Sequence, residues 1–176
     1  YSWAAETPLS NFEVNQGYQD KTDNTATVKF NLENGLTLLA WTTTPWTLPS
    51  NLMLVVGRDI DYSIYELNGE KLVLATARTS AYKKELANAT FIREIKGSEL
   101  VGLHYTPLFP YFADYREKYD AFQVLSGEYV STEDGTGVVH TAPGFGEDDF
   151  NVCKSFNKDF PVLCPVDGEG KFTSEV

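Results

Sequence analysis

Short runs of β-branched and aromatic residues, each closed by a turn rich in Asn, Gly or Asp, recur through the first half of the sequence and restrict the chain to a mainly β architecture. Residues 25–30 (TATVKF) and 36–41 (LTLLAW) flank the tetrad Asn31–Asn34 with Gly35, which predicts a hairpin. The continuous apolar run 52–56 (LMLVV) predicts a strand buried on both faces. Residues 61–67 and 71–75 are separated by Asn68-Gly69, a pair that tolerates positive φ and so predicts a second hairpin. Strand signals return at 90–95, 122–125 and 137–141. Two helices are predicted, one over 78–88 from good helix formers and one from near Glu147 to about Asn157 with an acidic first turn. Residues 103–119 hold two prolines and six aromatics and are expected to form an ordered, aromatic-packed loop. The fold class that follows is mainly β with peripheral helices (α+β), arranged as a compact β-barrel in one domain over 1–176.

Composition removes several function classes. With 42% hydrophobic and 22% charged residues the chain is too apolar for a disordered segment. No apolar run nears the ~20 residues of a membrane span, and no signal-peptide pattern is expected, which points to a cytoplasmic setting with no membrane partner. A net charge of −11 argues against a free-standing nucleic-acid binder, whose affinity comes from basic residues. The start at Tyr1 rather than Met leads us to expect a piece of a longer protein. Two cysteines, Cys153 and Cys164, and two histidines, His104 and His140, lack metal-ligand spacing; no metal site is expected, and both thiols are expected to be reduced and buried.

The distribution of charge says more than its sum. Between Tyr119 and Cys153 there is no Lys or Arg, against seven acids, and between Phe30 and Gly57 there is again no base and one acid, Glu33. If both base-free segments line one site, it favours a cation such as an amino group and repels free phosphate.

Those segments also contain the two least ordinary stretches. Trp41-Thr42-Thr43-Thr44-Pro45-Trp46-Thr47-Leu48-Pro49-Ser50-Asn51 carries four threonines and two prolines, which predicts a rigid, non-helical loop leaving a strand. Clustered threonine hydroxyls can position a water or hold a sugar hydroxyl, although threonine also serves plain strands. Gly135-Thr136-Gly137-Val138-Val139-His140-Thr141-Ala142-Pro143-Gly144-Phe145-Gly146-Glu147-Asp148-Asp149-Phe150 takes a strand to His140, turns, and opens a helix with acids. Alone, His140 reads equally as a core histidine and Asp148 or Asp149 as a helix cap.

Together, the two stretches, about ninety residues apart, resemble the editing domain inserted into isoleucyl-tRNA synthetase, a class I aminoacyl-tRNA synthetase. The resemblance runs from about residue 20 to the C-terminus, CPVDGEGKFTSEV included. Valyl and leucyl relatives usually carry TTRP, whereas Thr44-Pro45-Trp46 has the isoleucyl form, and Phe145-Gly146 with Val152-Cys153 is similar to the eukaryotic-type branch.

The resemblance implies a β-barrel editing domain and an aminoacyl-tRNA ester hydrolase acting on valyl-tRNA(Ile). Its partners would be the aminoacylated 3′ end of tRNA(Ile) and the rest of the parent synthetase. It also implies roles: Asp149 for the α-ammonium group, His140 as the wall that blocks isoleucine and helps orient the ester, and general-base help from either His140 or the substrate's free ribose hydroxyl. Thr42, Thr43, Thr44 and Asn51 would bind the terminal ribose and adenine and position the attacking water, with Thr47 supporting the loop. No cofactor is implied for this domain, because ATP is used in the parent's separate catalytic domain. Arg78, Lys83 and Lys84, on the predicted helix, are expected to contact the tRNA backbone.

Three other readings compete. A valyl-type editing domain would remove threonine, but Thr44 stands where such a domain has Arg. A non-catalytic acidic β-barrel would use the threonine-rich loop to bind a small ligand or a protein. A Ser/Thr-nucleophile hydrolase is disfavoured because neither a Ser-His-acid set nor G-x-S-x-G occurs.

Overall fold

Two hairpins frame the larger of two sheets in the computed structural model, which describes residue 22 and residues 24–176. Strands β1 (Ala26–Asn31) and β2 (Leu36–Thr42) pair antiparallel; their turn is closed by Leu32 N–H donating to Leu36 O at 2.8 Å, with Gly35 at φ 85°. After β3 (Met53–Val56), β4 (Asp61–Leu67) and β5 (Glu70–Ala75) form the second hairpin. Asn68 and Gly69 sit at φ 52° and 86°, the positive values that a two-residue hairpin turn of matching twist demands. With β6 (Thr90–Lys96) the sheet order is β1-β2-β5-β4-β6, where β2 and β5 run parallel.

The smaller sheet is β7 (Gln123–Ser126), β3 and β8 (Val138–Thr141) in the order β7-β3-β8. Its middle strand β3 is buried at all four residues, as its unbroken apolar run requires. Among the described residues the strands form two separate sheets rather than the closed barrel expected. The reason lies at the seam. Gly137, at φ 74°, brings the chain so close to β5 that a Cβ there would stand 2.5 Å from Ala75 Cβ. Single bonds then replace a ladder: Ala75 N–H donates to Thr136 O at 2.8 Å and Tyr62 Oη donates to Gly137 O at 2.6 Å.

The shared core includes Phe30, Leu38, Leu54, Tyr62, Tyr105, Phe122 and Phe160. On the opposite face of the larger sheet, Leu39, Leu72 and Leu74 are covered by Tyr82 and Leu86. Those two side chains come from the segment predicted as helix 78–88, which instead forms a 3-10 turn, Thr76–Arg78, followed by consecutive turns. Its bonds mostly span three residues, as in Ala81 N–H to Arg78 O and Ala87 N–H to Lys84 O. Two apolar anchors on an otherwise half-exposed run do not supply the packing a short helix needs, whatever its propensity.

The 103–119 segment is ordered by aromatic contacts as expected, but it ends in a short helix, α1 (Tyr115–Tyr119), stopped by Asp120 in the left-handed region at φ 58°. The second predicted helix is present as α2 (Glu147–Phe156), with Glu147, Asp148 and Asp149 in its first turn. Cys153 on α2 is buried, with its thiol pushed up to about 12 by desolvation, whereas Cys164 is exposed, contrary to expectation. Among the described residues no helix is long and apolar enough to cross a membrane.

Candidate functional site

The two unusual segments meet. A cavity of about 620 Å³ lies between them, lined by Thr42, Thr43, Thr44 and Thr47 from one side and His140 and Asp149 from the other. Strand β2 delivers Thr42 at its end, and Pro45 then starts a 3-10 turn, Pro45–Ser50, instead of the non-helical loop expected from two prolines. Proline at the first position loses no bond, because its missing N–H would have no partner inside the turn. The turn is tied by Thr47 N–H to Thr44 O and by Asn51 N–H to Leu48 O, both at 3.0 Å. Thr42 Oγ1 accepts from Thr44 N–H at 3.0 Å, which leaves Thr43 as the exposed hydroxyl of the three.

Opposite, β8 ends just past His140, and the turn through Gly144 packs so tightly that a Cβ there would meet Leu163 O at 2.1 Å. Asp149, three residues into α2, folds back to accept Ala142 N–H at 2.8 Å. That bond ties the turn to the helix start and fixes the carboxylate on the cavity wall. Burial raises the Asp149 carboxyl above its ordinary value, the Ala142 bond opposes this, and the Asp148 charge adds to it. An arriving cation would oppose that rise by favouring the charged form.

His140 is buried at 8% exposure, and desolvation pushes its imidazole down to about 4, so the ring is neutral at physiological pH. Its Nε2 lies 2.9 Å from Thr47 Oγ1 and its Nδ1 2.8 Å from Asn51 Nδ2. Asn51 therefore does not line the cavity, contrary to the role expected for it. Buried behind the histidine, it donates to Met53 O at 2.9 Å and accepts from Tyr105 Oη at 2.6 Å. His104 is outside the cavity, paired with Asp120 at 2.8 Å.

Several cavity residues do not stand out in the sequence. Glu133 and Asp134 add two carboxylates to Asp149, and no Lys or Arg is among the lining residues, so the base-free segments do converge on one anionic site. Trp46, Tyr129 and Phe145 are exposed aromatics on its wall, and desolvation of the Tyr129 phenol together with the Asp149 charge raises it. Thr136 offers a buried hydroxyl with no partner among the described residues. The absence of bases is the sequence signal for Glu133 and Asp134; Tyr129 carries none. Arg78, expected at a tRNA backbone, instead donates to Gly135 O at 2.9 Å and Glu133 O at 2.6 Å, holding the acidic wall in place. Lys83 and Lys84 are exposed.

No protein-family model matches the chain. Its whole length is similar to isoleucine–tRNA ligases: 47% identical over 190 residues in Rickettsia peacockii and 49% over 181 residues in Bdellovibrio bacteriovorus. In both cases the chain spans 17% of the relative's length. The fold is similar to the crystal structure of the cytosolic leucyl-tRNA synthetase editing domain of P. knowlesi, with a TM-score of 0.58 at 13% identity, covering 77% of this chain and 62% of that one.

Proposed function

This chain is an editing-domain segment of the isoleucyl-tRNA synthetase family, and from that premise we propose that it hydrolyses the ester joining valine to the 3′ end of tRNA(Ile). The observation that carries the proposal is the anionic cavity with threonine hydroxyls on one wall and Asp149 and His140 on the other. A hydrophobic pocket separates valine from isoleucine by only ~1–3 kcal/mol, a general figure for this amino-acid pair. A second site gains by reversing the test, admitting the smaller side chain and excluding the larger.

In this reading Asp149 takes the α-ammonium group of the misattached amino acid by a charge-assisted hydrogen bond. A neutral His140 does not repel that ammonium, and its ring limits the length of side chain the pocket accepts. Thr42, Thr43 and Thr44 hold the terminal ribose and adenine and position a water, and Thr47 supports the turn. The water attacks the ester carbonyl carbon, the bond to the ribose oxygen breaks, and that oxygen leaves as the free hydroxyl of the tRNA with valine as the other product. An aminoacyl ester is labile enough that neither a covalent nucleophile nor a cofactor in this chain is required. The parent synthetase, in the cytoplasm, grips the body of the tRNA, which accounts for an acidic chain acting at a nucleic-acid end.

Deacylation of valyl-tRNA(Ile) and of isoleucyl-tRNA(Ile), by this chain and by the full-length synthetase, tests the proposal. Release of valine with retention of isoleucine is expected; equal rates, or no release by the full-length enzyme, would remove it.

A further inference from the structure

We propose that Asn51 acts as a positioning residue that fixes His140 in one tautomer, with its proton on Nε2, so that the imidazole is a wall of the cavity and cannot serve as its general base. The hydrogen-bond directions leave one consistent assignment. Met53 O can only accept, so the side-chain nitrogen of Asn51 must face it, at 2.9 Å. That same nitrogen carries a second hydrogen and lies 2.8 Å from His140 Nδ1, which is therefore the acceptor and holds no proton. The neutral ring then carries its proton on Nε2, 2.9 Å from Thr47 Oγ1. Thr47 can accept there because its own proton goes to Thr44 O at 2.9 Å.

At the far end, Tyr105 Oη donates to the remaining Asn51 oxygen at 2.6 Å. Tyr105 is itself immovable: fully buried, with Phe30 and Phe122 edge-on at 5.4 and 6.0 Å. One directed series thus runs Tyr105, Asn51, His140, Thr47, Thr44 O, and it occupies both ring nitrogens. A general base needs a free lone pair within reach of the water it activates. The single lone pair of His140, on Nδ1, points into the protein at Asn51, away from any substrate. Asp149 and Tyr129 line the same cavity and Tyr105 stands behind Asn51, but among the described residues no ionisable side chain bonds the ring. Asn51 is buried at 5% exposure and does not line the cavity, so it acts through the histidine and not on substrate.

The role of His140 as a wall rests on the editing reading, whereas its tautomer does not, and the test separates them. Nitrogen-15 NMR of the chain labelled at histidine sees only two imidazoles, and His104→Gln identifies the other one. At neutral pH, His140 should show a protonated Nε2 and an unprotonated Nδ1 in slow exchange, and should stay so until the pH nears about 4. A proton on Nδ1, rapid averaging of the two tautomers, or titration at an ordinary histidine value would each overturn the proposal. In Asn51→Asp a carboxylate oxygen faces Nδ1, so the proton should transfer to Nδ1 or the ring should become imidazolium, with its titration shifted up by about one pH unit or more. An unchanged spectrum in a folded Asn51→Asp chain would also overturn it, and if that variant does not fold, the unsubstituted spectrum decides alone. A chain with the expected spectrum that releases no valine within the synthetase would sink the editing reading and leave the tautomer assignment intact.

Discussion

The two segments that enclose the cavity are built on opposite principles. In Trp41–Asn51 the key polar groups are spent within the protein: Thr42 on Thr44, Thr47 on Thr44 O and His140, Asn51 on Met53, Tyr105 and His140. The segment through the start of α2 keeps its charge in play, with Asp149 accepting a single backbone N–H and desolvated beside Asp148. One wall is neutral and largely satisfied from within; the other holds a carboxylate whose burial a single backbone N–H offsets only in part. In the proposed reaction the contrast divides the labour: the first segment holds the neutral His140 ring that sets the pocket's shape, and the second presents the carboxylate that attracts the ammonium group.

The largest effect that would break this division is at Asp149. Asp149→Asn keeps an acceptor for Ala142 N–H but removes the charge. Losing a charged hydrogen bond worth up to ~3 kcal/mol should slow deacylation of valyl-tRNA(Ile) by roughly 100-fold; a rate within a few-fold of the parent would remove Asp149 from ammonium binding. The same variant should be more stable at neutral pH. Because the folded carboxyl lies above its ordinary 3.8, ionising it costs the folded state, and the stabilisation should vanish as the pH falls below that value. Thermal unfolding at neutral and at acid pH reads both signs.

His140 comes next, with the opposite sign. It titrates at 6.5 when unfolded and at about 4 when folded, so the unfolded chain binds the extra proton first. Stability should therefore fall as the pH drops from 6.5 towards 4. At about 1.4 kcal/mol per pH unit that interval is on the order of 3 kcal/mol. Urea unfolding across this range should show the slope in the parent and a flatter one in His140→Gln. In the synthetase, His140→Ala should expose isoleucyl-tRNA(Ile) to hydrolysis, and continued protection of that ester would end the wall role.

How much of this is legible in the sequence follows from whether a residue's role is local. The hairpin at Asn68-Gly69 and the acidic start of α2 depend on neighbours in the chain, and both appear where the sequence puts them. Thr42, Thr43, Thr44, Thr47, His140 and Asp149 stand out as a set because their segments are unusual in composition, and the cavity gathers all six. Motif proximity places Asn51 at the substrate, yet proximity says nothing about which way a side chain points. Tyr105, some fifty residues from Asn51, is one aromatic among six; only tertiary packing shows where its hydroxyl ends. The 78–88 segment departs from expectation for the complementary reason, since local propensity is good and tertiary support is thin.

A smaller effect sharpens the neutral wall. Thr47→Val keeps the shape but strands His140 Nε2–H without its acceptor, while Thr44 O keeps the Thr47 N–H. Leaving that one buried donor unsatisfied should cost about 1–3 kcal/mol in unfolding free energy. If the neutral wall sets shape, the variant should also admit isoleucyl-tRNA(Ile) to some hydrolysis while still binding the ammonium group. A stability loss with discrimination fully kept would confine Thr47 to the fold.

The smallest expected effect lies away from both walls, among the three bases Arg78, Lys83 and Lys84. Arg78 does not line the cavity but braces its wall, since its guanidinium donates to Glu133 O and Gly135 O. Only Lys83 and Lys84 of the three are left to meet a phosphate backbone, and both are exposed. Replacing both by alanine should change stability by no more than about 0.5 kcal/mol, because exposed side chains away from caps and cores contribute little. What should change is the salt dependence of tRNA binding by the synthetase, whose logarithmic slope should become shallower by about 0.7–0.9 for each phosphate no longer neutralised. An unchanged slope would mean that this chain meets only the aminoacylated end, where the charge that matters is the ammonium group facing Asp149.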